Sequence, residues 1–337
     1  MKILYITDDF PPYSIGGAGQ VVLDSARIMQ SLGNDVVVLS SVEVEGGAGE
    51  GEYMGIKVRR IFYPKISKFA RAWISPHNPF VGSRVKKILK DVVPDIVHIH
   101  NVHAIFSFAT LKWAKNSGAK VVYTAHDTLS FSYTRLYDFI DKVNPVCKKD
   151  NDYKVSWKFL LRENKKSFNP FRAPIIRYYL NKYVDRILAV SVELKKAMEQ
   201  NGIRNVSVLY NGINIEDYRA SSGEVEDLFI KLKLNKNKKF IFFGGRGMSD
   251  KGTEVLLEML PDIKSEIPEA HMLMAIGKDG YQESLAKLAN SLGLKDSISF
   301  TGLMSGRDLA SLFSLSYLVV VPSLTMDPAP LMNMQAM

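Results

Sequence analysis

Short apolar runs recur along the chain, and between them lie longer stretches in which apolar residues return every three or four positions. The runs at 3–6, 36–39, 96–99, 121–124 and 187–190 lack the alternation of a half-buried strand, so they predict strands covered on both faces, as in a parallel sheet. Residues 21–32 and 106–115 have helical spacing, with Gly33 and Gly118 placed to end those helices. The run at 206–210 leads into Asn211-Gly212-Ile213-Asn214, a turn signal suited to a hinge. The pattern then restarts, with strands expected at 240–243, 271–276, 298–300 and 317–321 and helices at 253–260, 281–292 and 307–315. This alternation predicts an α/β protein of two Rossmann-like, doubly wound units, 1–205 and 206–337, facing a cleft.

The stretch 128–183 fits the alternation least. It is long, mixed and aromatic, broken by Pro145, Pro170 and Pro174. An insertion after a strand, on the edge where open α/β sheets bind ligands, is a candidate acceptor wall or lid, or a helical excursion capping the sheet.

A chain of 337 residues, 46% hydrophobic and 23% charged, has room for two cores. One cysteine, Cys147, excludes an internal disulfide framework and a cysteine zinc site. With no membrane-spanning run and no signal-peptide pattern at the N-terminus, the expectation is a cytoplasmic protein. The net charge of +9 is uneven: no acidic residue occurs between Tyr53 and Lys90, where basic residues alternate with Phe62, Tyr63, Phe69, Trp73 and Phe80. A second basic and aromatic stretch runs from 148 to 186. Such surfaces suit an anionic membrane face, which would make the protein peripheral on the inner side of the cell membrane, or an anionic acceptor. No nucleic-acid motif accompanies the charge, so no nucleic-acid partner is expected.

Two glycine-bearing strand-to-helix joints carry the candidate chemistry. The first holds Gly16-Gly17-Ala18-Gly19; the second runs Gly244-Gly245-Arg246-Gly247 to Lys251-Gly252. Small residues let a backbone approach a ligand, helix starts favour anions, and Arg246 with Lys251 adds the charge a diphosphate needs. His126 ends a predicted strand, and His98, His100 and His103 cluster near the end of another. No carboxylate accompanies those histidines at ligand spacing, which favours packing or acceptor contacts over a metal.

Pro11-Pro12 through Gly16-Gly17, the segment 95–100, Thr124-Ala125-His126-Asp127, Asn211-Gly212-Ile213, Gly245-Arg246 with Lys251-Gly252, Gly277, Thr301-Gly302, and Pro322-Ser323 with Asp327-Pro328 occur in one order along nearly the whole chain. Together they resemble the GT-B glycosyltransferases of family 4, which move a sugar from a nucleotide donor with retention. The resemblance implies a nucleotide-sugar donor, a glycan or lipid-linked acceptor in polysaccharide or glycolipid synthesis, and neither cofactor nor metal. It further implies that Gly16 and Gly17 approach the donor phosphates and that Arg246 and Lys251 hold the diphosphate. His126 then stands beside the donor sugar, Asp327 orients it, and Gly277, Gly302, Leu331 and Gln335 line the sugar and nucleoside pocket. Family members carry two glutamates where this chain has Asp327 and Gln335, so a weak or inactive donor-binding module is an alternative, and a dinucleotide oxidoreductase a more distant one. The chain stops at Met337 inside an expected helix, short of the strands the resemblance calls for, and the expectation is a C-terminally truncated second domain.

Overall fold

The first sheet centres on β1 (Lys2–Thr7), whose Ile3, Leu4, Tyr5 and Ile6 are all buried, as an uninterrupted apolar run requires. A computed structural model describes residues 1–337 apart from 15, 135, 137–152, 246–248 and 279. Its two units are Met1–Gly212 and Ile213–Met337.

In the first unit, β2 (Asp35–Val42), β3 (Gly49–Tyr53), β4 (Ile56–Phe62), β5 (Ile96–Ile99), β6 (Lys120–Ala125), β7 (Arg186–Ala189) and β8 (Val206–Val208) complete an eight-stranded sheet ordered β3-β4-β2-β1-β5-β6-β7-β8. Every pairing is parallel except that of β3 with β4. Helix Gly17–Ser31 covers one face through Val22, Leu23 and Ala26 against Ile3, Tyr5, Val36 and Val38. A fully buried aliphatic side chain contributes roughly 1.5–3 kcal/mol.

One expectation changes and two are refined. The boundary predicted near 205 moves past β8, because Val206 and Val208 pair with Ile187 and Ala189 of β7. Part of the basic stretch is strand: in β4, Arg59 is paired with Glu50 at 3.1 Å, and Lys57 with Asp35 at 3.4 Å. The described part of the insertion is helical, with helices Trp157–Asn164 and Arg172–Tyr183, the latter packed on helix Ala109–Asn116. Cys147 lies outside the described residues.

Arg172 is buried and ties helix Arg172–Tyr183 to the loop after β6 and to the end of helix Lys68–Ile74. Its Nε donates to Ser75 Oγ at 2.8 Å, and its two terminal nitrogens donate to the carbonyls of Ser132 at 3.0 Å and Leu129 at 2.7 Å. The guanidinium also lies over the Tyr133 ring, 4.8 Å from its centre.

The second unit holds β9 (Lys239–Gly244), β10 (Ala270–Ala275), β11 (Ile298–Phe300) and β12 (Leu318–Val319), all parallel and ordered β11-β10-β9-β12. Helices Thr253–Glu266 and Gly280–Ser291 pack Leu256, Leu257, Leu260 and Leu285 on one face; Leu312 and Phe313 cover the other. Among the described residues, no helix is long and apolar enough to cross a membrane.

Candidate active site

Ligands of open α/β sheets bind beyond the C-terminal ends of the strands, and both units carry their chemistry there. In the second unit the loop after β9 contains Gly245, whose N–H donates to Ala275 O at 3.3 Å. A single turn, Ser249–Lys251, then delivers Lys251 to the start of helix Thr253–Glu266, with Gly252 as its N-cap. The Lys251 ammonium forms an ion pair with the Asp327 carboxylate, and Ser323 Oγ lies 3.4 Å from the same oxygen. Both charged side chains are about four-fifths buried, at 21% and 20% exposure. The predicted diphosphate and sugar residues, 76 positions apart, are thus direct partners. Arg246 lies outside the described residues.

Gly252 makes this contact geometrically feasible. It has φ +73°, and a Cβ there would lie 2.1 Å from the carbonyl oxygen of Pro322. The segment after β12, at Pro322, therefore presses directly on the helix start, which brings Asp327 within reach of Lys251. Gly277 follows β10 facing Leu303, and Gly302 follows β11, so both share this rim. Leu331 opens the short helix Leu331–Ala336, which sets Met332 beside Gly244. Gln335, predicted to meet the ribose, donates from its amide to Tyr218 Oη at 2.8 Å.

In the first unit the corresponding edge carries a stack of imidazoles. His98 lies in β5 and His100 just past it, with ring centres 4.3 Å apart; His100 stacks on His126, just past β6, at 5.1 Å. His100 Nδ1 and His126 Nε2 share one hydrogen bond of 2.8 Å, and His98 Nε2 is 2.8 Å from Thr124 Oγ1. Asp127, next to His126, approaches His103 at 4.0 Å. Beneath them Asp8, at the end of β1, is buried and accepts from the N–H groups of Ala104, Ile105 and Phe106 at 2.7, 3.0 and 2.9 Å. Gly16 is the half-buried N-cap of helix Gly17–Ser31, whose first residue, Gly17, is exposed. In this joint the close approach is made by Gly19, where a Cβ would sit 2.9 Å from Asp9 O. Gly16, Gly17 and His126 thus share one sheet edge.

Burial keeps the imidazoles neutral: it lowers His98 to about 3 and His126 to about 4, and lowers His100 as well. His126 is therefore available as a neutral hydrogen-bond donor or acceptor, not as a cation. Burial also raises Asp8 to about 6, opposed by its backbone donors and by His103. The imidazoles contribute stability that is fully present above their unfolded value of 6.5 and lost as pH falls toward 4. Asp8, raised, acts oppositely and adds stability as pH falls through about 6. Three groups outweigh one, and stability is expected to fall by several kcal/mol on going from neutral pH to about pH 4. Urea unfolding of the first unit followed across that range measures it; a flat or rising midpoint would contradict it.

The contact of His100 with His126 could have been anticipated from strand register. Because His98 pairs with Val122, residues 100 and 124 come level, and residue 126 projects on the same side. The role of Asp8, whose partners are backbone amides, leaves no pattern to read. Nor does the hydroxyl of Tyr218, 117 positions from Gln335.

Residues 15–217 match the model of Glycosyltransferase Family 4, and residues 224–337 that of Glycosyl transferases group 1. An uncharacterized 42.6 kDa protein in the cps region of Klebsiella pneumoniae is 26% identical over 298 residues, covering 79% of this chain and 74% of its own length. An uncharacterized glycosyltransferase of Bacillus subtilis is 23% identical over 155 residues, 46% of this chain and 40% of the relative. The chain thus spans less than half of that relative's length. Sucrose-phosphate synthase from Thermosynechococcus elongatus has the same fold, with a TM-score of 0.71 at 16% identity, covering 99% of this chain and 78% of that one. Anabaena HepE, in complex with UDP and glucose, gives a TM-score of 0.66 at 18% identity over 100% of this chain and 78% of its own.

Proposed function

The chain belongs to glycosyltransferase family 4 and has the GT-B fold, and from that premise we propose that it transfers a sugar from a nucleotide-diphosphate sugar to a glycan or lipid-linked hydroxyl, with retention at the sugar carbon. The observation that carries this is the pairing of Lys251 with Asp327 at a helix start on the C-terminal rim of the second sheet. Lys251, joined by Arg246, holds the diphosphate and stabilises the negative charge that grows on it as the glycosidic bond breaks. Asp327 is released to the sugar hydroxyls. Gly277, Gly302 and Leu331 shape the rest of the pocket, and Gln335 reaches the ribose after leaving Tyr218. Gly16, Gly17 and neutral His126 act from the first unit, on the donor phosphates and the reacting sugar. Two cations supply the charge stabilisation, so the proposed reaction calls for no metal or cofactor.

One observation favours a second reading, donor binding with little transfer. Gln335 is neutral where the family carries a glutamate, and its amide is already engaged by Tyr218. The two readings part in one experiment, in which UDP-, GDP- and ADP-sugars are screened for thermal stabilisation and for transfer or hydrolysis. One of them is expected to stabilise the protein, and the double change Arg246→Ala with Lys251→Ala to weaken that ligand about 100-fold. Unchanged affinity in the double variant defeats both readings, while tight binding without turnover leaves the second.

A further inference from the structure

We propose that the first unit seats on an anionic lipid surface through one face, built from helix Lys68–Ile74 and the segment 156–175. No residue of this face belongs to the donor rim, so the proposal goes beyond the transfer reaction.

Helix Lys68–Ile74 is capped by Ser67 and buries Ala72 alone. One turn apart on its open side, Phe69 and Trp73 are 54% and 47% exposed, with rings in contact at 6.4 Å. Helix Trp157–Asn164, capped by Ser156, repeats the arrangement with Trp157 at 63% and Leu161 at 44% exposure. Phe171 is 63% exposed. The two segments are locked side by side: Asn169 Nδ2 donates to Ala72 O at 3.0 Å, and Arg172 Nε to Ser75 Oγ at 2.8 Å, both bonds buried. Trp73 and Phe171 flank this double link, so these rings are held in the open by rigid backbone.

Along these two described segments the charge is nearly all of one sign. Lys65, Lys68 and Arg71 on the first segment, with Lys158, Lys165 and Lys166 on the second, are all exposed. Across 65–75 and 153–175 the sequence holds a single carboxylate, Glu163, which pairs with Arg162 at 2.9 Å. Aromatic rings ringed by cations match the interface of an anionic bilayer, where rings lie at headgroup depth and ammonium groups meet lipid phosphates. Nucleic acids also attract cations and stack on rings, but exposed aliphatic Leu161 and Ile175 offer a base nothing to stack on and suit the acyl boundary.

The tryptophans make the test direct. The chain has three, Trp73, Trp113 and Trp157, and Trp113 is buried, so a change in emission reports this face. The protein is floated with vesicles of phosphatidylcholine alone or mixed with phosphatidylglycerol. Flotation with the mixed vesicles only is expected, with a blue shift of emission and quenching by brominated acyl chains. Changing Lys68, Lys165 and Lys166 together to Ser is expected to lower partition about 100-fold, roughly fivefold per cation. Trp73→Ser with Phe171→Ser lowers it about tenfold or more. All five positions are exposed, and stabilisation by the nucleotide sugar should be unchanged in both variants, which separates this face from the donor site. Flotation with neutral vesicles alone, flotation without an emission shift, variants that float like the parent, or binding to RNA or acidic polysaccharide in place of vesicles would each overturn the proposal.

Discussion

Gly252→Ala is expected to destabilise the second unit by about 3–5 kcal/mol and to remove donor binding with it. Two costs add. An alanine held at φ +73° pays roughly 1–2 kcal/mol for the left-handed conformation. Its Cβ would also stand 2.1 Å from Pro322 O, and that carbonyl has little freedom to retreat. On one side Val320 N–H bonds to Phe242 O at 2.9 Å, and on the other Leu324 N–H bonds to Asp250 O at 3.0 Å. Moving the carbonyl therefore breaks the β12 connection or pulls Asp250 away from the helix start. Gly293→Ala is the control: with φ +69° and no atom near its would-be Cβ, it pays the conformational cost alone. Denaturant unfolding of both variants separates the steric part from the torsional part. Equal losses would show that the segment at Pro322 yields readily.

Arg172→Met is the second large effect, a loss of about 3–5 kcal/mol from the first unit. The change leaves the carbonyls of Leu129 and Ser132 and the hydroxyl of Ser75 without their donor in a buried place. Burial lowers Arg172 to about 10, so at neutral pH it remains a cation, compensated by carbonyl oxygens and the face of Tyr133. Arg172→Lys should not restore stability, because an ammonium cannot present donors along three fixed directions as a guanidinium does. Hydrogen exchange at 129–132 is the local readout, and protection there should fall before the rest of the sheet opens. A methionine variant as stable as the parent, with those amides still protected, would refute the account.

The central strands were legible because both of their faces are covered, so that 3–6 and 36–39 read as unbroken apolar runs, and 96–99 as one interrupted only by His98. β3 was not, since an edge strand of Gly-Glu-Gly-Glu-Tyr carries no apolar pattern; β4 does alternate Ile, Lys, Val and Arg as a half-buried strand should, but its charge reads equally as a basic surface. The boundary was misplaced for a related reason: β8 has three residues, and only its pairing with β7 says which unit owns it. At the site, glycines and charges were visible as types, but the contact between Lys251 and Asp327 joins residues 76 positions apart, which no local pattern encodes. The anchoring of the insertion was hidden more completely, because Arg172 binds mostly carbonyls, and every residue has one.

The ion pair at the second rim has a consequence for selectivity. Lys251 already holds an internal anion, so an incoming one must displace Asp327 and leave that acid uncompensated. Inorganic phosphate or a bare nucleotide can do the first but offers the evicted acid nothing. A nucleotide sugar, whose second sugar sets hydroxyls on the side of the diphosphate away from the ribose, does both, giving the stranded group new donors as it takes the old one. The resting contact would then filter against abundant small anions, and Asp327→Asn should bind bare nucleotide better than the parent while losing its preference for the sugar-bearing form.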